Sequence, residues 1–345
     1  MDLSYQIYRL KFKSPSGTSR GVLTTKETYL LRLKIKGLYE TDFLGECGLF
    51  KGLSFEDHLD YEDKLKSVWK NFDFDNENWW EELRNYPSIQ FGIEQVIKAK
   101  QIYKEKKLED ELNPILFPST FTEGNAGIPI NGLIWMGSLE FMKKQIKEKL
   151  DQGFRCIKMK IGVDWKEELQ LLKKLRKEFS SNDLELRVDA NGAFEFEKAK
   201  TILQELYELN VHSIEQPIKA GQHQEMAALC AETPTPIALD EELIGEVQIS
   251  QKQKLLETIR PQYIILKPSL VGGWKGSEEW IQLAENQNAG WWITSALESN
   301  IGLNAIAQWT YTLNNPLPQG LGTGSLFTNN FHSRLNVVKD QLFFV

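Results

Sequence analysis

Five side chains could do chemistry together: Lys160, Asp189, Glu215, Asp240 and Lys267. Each ends a short β-rich run, and the three acids follow one another at intervals of roughly 25 residues, one strand-and-helix repeat. Converging carboxylates repel, and a bare cluster would hold at least one pKa high. A hard divalent cation removes that conflict. Mg²⁺, or Mn²⁺ in its place, accepts such oxygens and keeps positions open for substrate. The expected chemistry is proton abstraction beside a metal-bound carboxylate, with a lysine as base and a second cation to stabilise the enediolate.

Residues two apart on a strand share a face. Lys158 therefore lies with Lys160, placed to lower its pKa, and Arg187 and Asn191 lie with Asp189. Two inward lysines are costly unless carboxylates or an anionic ligand answer them. Alone they could equally be a solvated edge pair.

The elements that must place these residues recur from about residue 128. The expected strands are 128–136, 156–161, 185–190, 213–216, 237–240, 263–267 and 292–295, with an eighth short element before Gly320. Helix-length amphipathic segments lie between them: 138–152, 165–179, 196–209, 222–232, 247–258, 275–286 and 300–311. Eight such repeats close a TIM-like barrel whose chemistry sits at the strand C-termini. No GxGxxG or GxxxxGK[ST] run supports a nucleotide fold.

The first part of the chain reads differently. Residues 5–13, 21–25 and 28–35 suggest strands, with a turn at Ser14-Pro15-Ser16-Gly17. Residues 55–72, 79–86 and 88–103 suggest helices. The expected organisation is an α+β capping domain over 1–120, joined by a C-terminal return over 325–345, and a barrel over 121–324.

Composition bounds the function. The chain has 345 residues, 41% hydrophobic and 26% charged, with net charge −7. That charge gives no reason to expect nucleic acid or an anionic membrane as partner. No apolar run approaches membrane-spanning length, and the N-terminus reads as a strand, not a signal peptide. Cys47, Cys156 and Cys230 form no CxxC and suit buried reduced thiols in a cytoplasmic protein. The four histidines form no metal-ligand pair. Oligomerisation is open.

The runs KMKIG, RVDANGAF, IEQP, ALDEEL and ILKPSLVGG, in this order and spacing, resemble the enolase superfamily, muconate-lactonizing subgroup. The resemblance covers about 128–324 and extends to the cap. It implies a (β/α)7β barrel. It makes Lys160 the acid/base and Lys158 its tuning neighbour. Asp189, Glu215 and Asp240 would be metal ligands, and Lys267 the opposite lysine.

Within the subgroup, dipeptide epimerases carry Asp-x-Asp where this chain has Gly322-Thr323-Gly324. Members like mandelate racemase use a histidine after the seventh strand, where this chain has Ser295 to Asn300. The loops 269–273, 295–299 and 320–324 are most similar to those of members that dehydrate 2-succinyl-6-hydroxy-2,4-cyclohexadiene-1-carboxylate, a small-molecule carboxylate, on the way to menaquinone. That similarity makes Asn191, Ser295, Gly322 and Thr323 candidate substrate-binding residues, although plain turns account for the glycines equally. Arg20 or Lys51 of the cap could meet the succinyl carboxylate, or be solvated. Racemisation of N-acylamino acids or epimerisation of dipeptides would use the same lysines.

Overall fold

The computed structural model describes residues 2–18, 21–35, 42–105 and 110–345. The chain opens with an antiparallel sheet of β1 (Asp2–Thr18), β2 (Gly21–Lys34) and β3 (Asp42–Cys47), in that order. Two differences from the sequence reading appear here. The expected turn at 14–17 is part of β1, which absorbs Pro15 through a register shift between Lys11 and Ser16. Proline cannot donate to a ladder, so a bulge accommodates it. The two expected strands over 21–35 are one, and the third strand is the glycine-bearing run before Gly48.

Helices α1 (Tyr61–Lys70), α2 (Trp79–Glu82) and α3 (Pro87–Glu105) follow. The first two are shorter than their apolar pattern suggested. Leu31, Leu33 and Phe43 of the sheet and Phe91 and Val96 of α3 are fully buried in a core continuous with that of the barrel.

The expected strand 128–136 is two strands. β4 (Ile128–Pro129) belongs to a small antiparallel sheet, and β5 (Gly132–Ile134) starts the parallel one. After it come α4 (Leu139–Asp151), β6 (Cys156–Lys160), α5 (Trp165–Glu178), β7 (Glu185–Asp189), α6 (Phe196–Glu208) and β8 (Ser213–Glu215). Then follow α7 (His223–Glu232), β9 (Ile237–Leu239), α8 (Ile249–Ile259), β10 (Tyr263–Leu266), α9 (Pro268–Val271), α10 (Gly273–Asn286), β11 (Gly290–Ile293) and α11 (Asn300–Thr312).

β5 to β11 form one seven-stranded parallel sheet in sequential order. The eighth element is only Gln319 and Gly320, which bridge Ile130 at one edge and Thr294 at the other. Backbone bonds Asn131 N to Gln319 O (3.0 Å) and Ser295 N to Gly320 O (3.1 Å) satisfy both edges, so the curled sheet closes.

The barrel interior is packed. Ala238, Ile265 and Trp292 form its apolar plug. Arg187 lies 4.3 Å over the Trp292 ring, with Nε 2.7 Å from Glu185 and Nη1 2.9 Å from the Pro318 carbonyl. It therefore belongs to the barrel floor beneath Asp189, not to the mouth.

The chain end divides in two. Residues 326–328 run along β1, with Lys13 N bonded to Leu326 O and Thr328 N to Lys11 O, both 2.8 Å. The final hairpin, β12 (Leu335–Val338) and β13 (Gln341–Phe344), pairs instead with β4. Its alternation buries Leu342 and Phe344, the latter 6.0 Å from Phe121.

Candidate active site

Strand parity delivers the site. In β6, Lys158 pairs with Arg187 and Lys160 with Asp189. Asp189 in turn pairs with Glu215 of β8. Asp240 and Lys267 directly follow β9 and β10. All five chemical residues, and Lys158 with them, are buried or nearly so at the C-terminal end of the barrel.

Each carboxylate there is held by a lysine. Lys160 Nζ is 2.8 Å from Asp189 Oδ2, and Lys158 Nζ is 2.7 Å from Glu215 Oε2. Lys267 Nζ pairs with Asp240 Oδ2. The expectation that carboxylates answer the inward lysines is met. The expected convergence of three acids on one open ion position is not what the side chains adopt, and among the described residues no group of three or more metal-ligating side chains stands together. A buried carboxylate takes whatever countercharge is within reach, and here three ammonium groups are.

The electrostatics are uneven. Burial works to raise the Asp189 pKa, but Lys160 and Lys158 outweigh it and hold the carboxyl down at about 2. Burial opposes the charge of Lys158 and of Lys267; their carboxylate partners prevail and raise both pKa values. Asp240 is pushed well above the usual range by burial, with Glu241 and Glu215 adding against the pull of Lys267. Glu215 Oε1 is buried without a hydrogen-bond partner. This orphaned acceptor is of the type a hard divalent cation takes, and such an ion would have to draw the other two acids away from their lysines.

Neighbouring groups fix the geometry. Asn191 Oδ1 accepts from Lys160 Nζ at 2.6 Å, while its Nδ2 donates to Glu241 at 3.0 Å. Gln216 joins two strand ends, donating to Glu242 (2.8 Å) and accepting from Asp240 N (3.2 Å). Glu168 accepts from the backbone N–H groups of Gly162, Val163 and Asp164, holding the loop that leaves Lys160. Asn191, Gln216 and Leu297 sit at positive φ (44°, 41° and 61°), a strained backbone concentrated at the mouth.

These residues face a cavity of about 500 Å³. Lys158, Lys160, Asp189, Asn191, Glu215 and Lys267 line one side; Asp240 is covered by Lys267. Ser295, Gly322 and Thr323 line it too, and the Ser295 and Thr323 hydroxyls are bonded at 2.6 Å. The apolar wall comes from Leu133, Trp135, Ala296 and Leu297, with Phe50 and Leu53 of the cap. Lys51 pairs with Glu27 at the exposed rim, and Arg20 lies outside the described residues. Trp135, whose ring centroid is 6.0 Å from Lys160 Nζ, escaped the sequence reading. Its parity with Leu133 and Lys158 across β5 and β6 was the available signal.

Residues 141–340 match the family model "Enolase C-terminal domain-like". The chain belongs to the enolase superfamily. The expected fold family is thereby in agreement. Along its full length the chain is 45% identical to the o-succinylbenzoate synthase of Desulfotalea psychrophila, covering 98% of this chain and 97% of that one. The crystal structure of MenC from Desulfotalea psychrophila LSv54 superposes with a TM-score of 0.79 at 42% identity, covering 99% of each chain. The dipeptide epimerase of Enterococcus faecalis V583, solved with Mg and the dipeptide L-Leu-L-Tyr, shares the superfamily fold at a TM-score of 0.82 but only 16% identity, with 99% of this chain and 96% of that one covered.

Proposed function

We infer that this chain is a hydro-lyase with o-succinylbenzoate synthase activity. It removes water from 2-succinyl-6-hydroxy-2,4-cyclohexadiene-1-carboxylate to give 2-succinylbenzoate, a step toward menaquinone. The observation that carries this is the full-length 45% identity to an o-succinylbenzoate synthase, on a chain with an intact two-lysine cavity.

The residues divide the work. Lys160, aimed by Asp189 and Asn191, takes the proton from C1 of the ring. The electron pair moves into the adjacent carboxylate as an enediolate. Lys267 remains an ammonium, kept so by Asp240 and Glu215, and stabilises the developing charge. As the C6–O bond breaks, Lys160 returns its proton to the departing hydroxyl, and water leaves. The ring becomes aromatic, so the elimination runs downhill. Lys158 anchors Glu215.

Asp189, Glu215 and Asp240 are the residues that would hold Mg²⁺, or Mn²⁺. When bound, such an ion supplies Lewis-acid stabilisation of the substrate carboxylate. Asn191, Ser295, Gly322 and Thr323 would contact the substrate; the cavity lining supports this. The apolar wall suits the ring and excludes water. Three free, buried cysteines support work in the cytoplasm. Among the described residues no helix is long and apolar enough to cross a membrane.

The test is turnover of the cyclohexadiene by purified protein with Mg²⁺, followed as the aromatic product forms. Racemisation of N-succinyl amino acids without dehydration would overturn the assignment.

A further inference from the structure

Two polar side chains on the cavity wall have no part in the chemistry above. Asn131 precedes β5 and is 5% exposed; Thr294 follows β11 and is 8% exposed. Both line the cavity, on the side of the sheet order away from β7 to β9 and their carboxylates. Asn131 Oδ1 and Thr294 Oγ1 are buried without a hydrogen-bond partner. A buried polar group left unpaired is costly, and a native structure keeps one where something else completes it.

The closing segment runs between these residues: Ile130 pairs with Gln319, and Thr294 with Gly320. A Cβ on Gly320 would stand 2.8 Å from Thr294 Cγ2 and 2.9 Å from its Cβ. A side chain there would collide with Thr294, so glycine lets the closing segment lie against the wall that carries both unsatisfied polar groups.

Neither side chain carries a charge, which limits what the pair takes. A carboxylate calls for a cation, and the lysines stand by the acids. The departing hydroxyl belongs beside Lys160. The register of β5 on β6, with Ile134 beside Met159, brings Trp135 rather than Asn131 level with that lysine. One oxygen of the substrate remains, the ketone of the succinyl arm. It is an uncharged acceptor. A threonine hydroxyl and the N–H of an asparagine amide, turned about its last bond, both donate to it.

We propose that Asn131 and Thr294, on either side of Gly320 in the cavity wall, bind the ketone oxygen of the succinyl arm and so set specificity for acyl-substituted rings. This rests on the dehydration reading above. Binding of 2-succinylbenzoate is compared with that of 2-(3-carboxypropyl)benzoate, in which CH₂ replaces the ketone, by calorimetry on the Mg²⁺-loaded full chain. The native protein prefers the ketone about five- to tenfold, the range of one or two hydrogen bonds. Asn131→Leu and Thr294→Val each lose most of that preference by weakening the ketone ligand alone, and Thr294→Ser keeps it. No preference in the native protein, or an undiminished one in both variants, overturns the proposal. If a variant fails to fold, the native comparison still decides. Turnover of the cyclohexadiene without a ketone preference sinks this inference alone; absence of turnover sinks the dehydration reading.

Discussion

The Glu46 carboxylate of β3 accepts from Ser299 at the start of α11, from its backbone N–H at 2.9 Å and its hydroxyl at 2.5 Å. It also accepts from Gly302 N (2.9 Å) and, on its own side, from Thr28 (2.8 Å). One buried acid therefore fastens the N-terminal sheet to a helix N-terminus, where N–H groups and the helix dipole favour negative charge. Ser299 lies four residues after Ser295, so this bond also fixes the approach to the cavity.

Glu46→Ala strands those donors. It is expected to destabilise the fold by about 3 kcal/mol, read as a lower denaturant midpoint. KM should rise as well, because Phe50, three residues after β3, lines the cavity. An unchanged midpoint would show that the bonds are replaceable.

Lys160→Ala is expected to lower kcat by about 10³-fold or more, the scale of a lost general acid–base. Asn191→Ala leaves the lysine but removes its 2.6 Å partner and a substrate contact, and a drop of roughly tenfold in kcat with a rise in KM is expected. Product formation at saturating substrate separates the two. Equal losses would mean that Asn191 does more than orient Lys160 and touch substrate.

Thorough chelation should abolish turnover, and added Mg²⁺ should restore it. A reading independent of activity comes from melting temperature: Mg²⁺ binding to the folded chain raises it by mass action. Glu215→Gln and Asp240→Asn should each remove most of that rise. A full Mg²⁺-dependent rise in both variants would place the ion elsewhere.

Glu56 provides a pH prediction remote from the site. Burial pushes its pKa from 4.5 up to about 7, against the Ser88 N–H that its Oε1 accepts at 2.6 Å. Its Oε2 has no partner. The folded chain thus holds this proton more tightly than the unfolded chain. Its contribution is full below about pH 4.5 and is lost as pH rises through about 7, on the order of 3 kcal/mol in all. Glu56→Gln keeps the Oε1 acceptor and cannot ionise. Its stability should change less than the native protein's between pH 5 and 8, measured by denaturant midpoints across that range. Parallel curves would refute the shift.

Much of the site was legible because strand parity is a local rule. Residues two apart must share a face, so KMK and RVD announced inward lysines beside an inward acid before any fold was known. The repeat spacing then set the acids on successive strands, and the structure pairs Asp189 with Glu215 directly. Local pattern failed where neighbours distant in sequence decide. β1 runs through Pro15 because β2 holds it in register across a bulge. Residues 128–136 look like one strand, yet β4 is claimed by the C-terminal hairpin and β5 by the barrel.

The sequence by itself determined the repeat, the residue types and the class of chemistry, since these depend on side-chain identity and backbone period. Only the tertiary structure decided which oxygen meets which nitrogen. It gave each acid a lysine, left Glu215 Oε1 without a hydrogen bond, and sent Arg187 to the floor although its parity matched that of Asp189. Parity fixes direction but not depth. Depth follows from strand stagger and closure, which here depend on Gln319 and Gly320 meeting Ile130 and Thr294 from the far end of the chain.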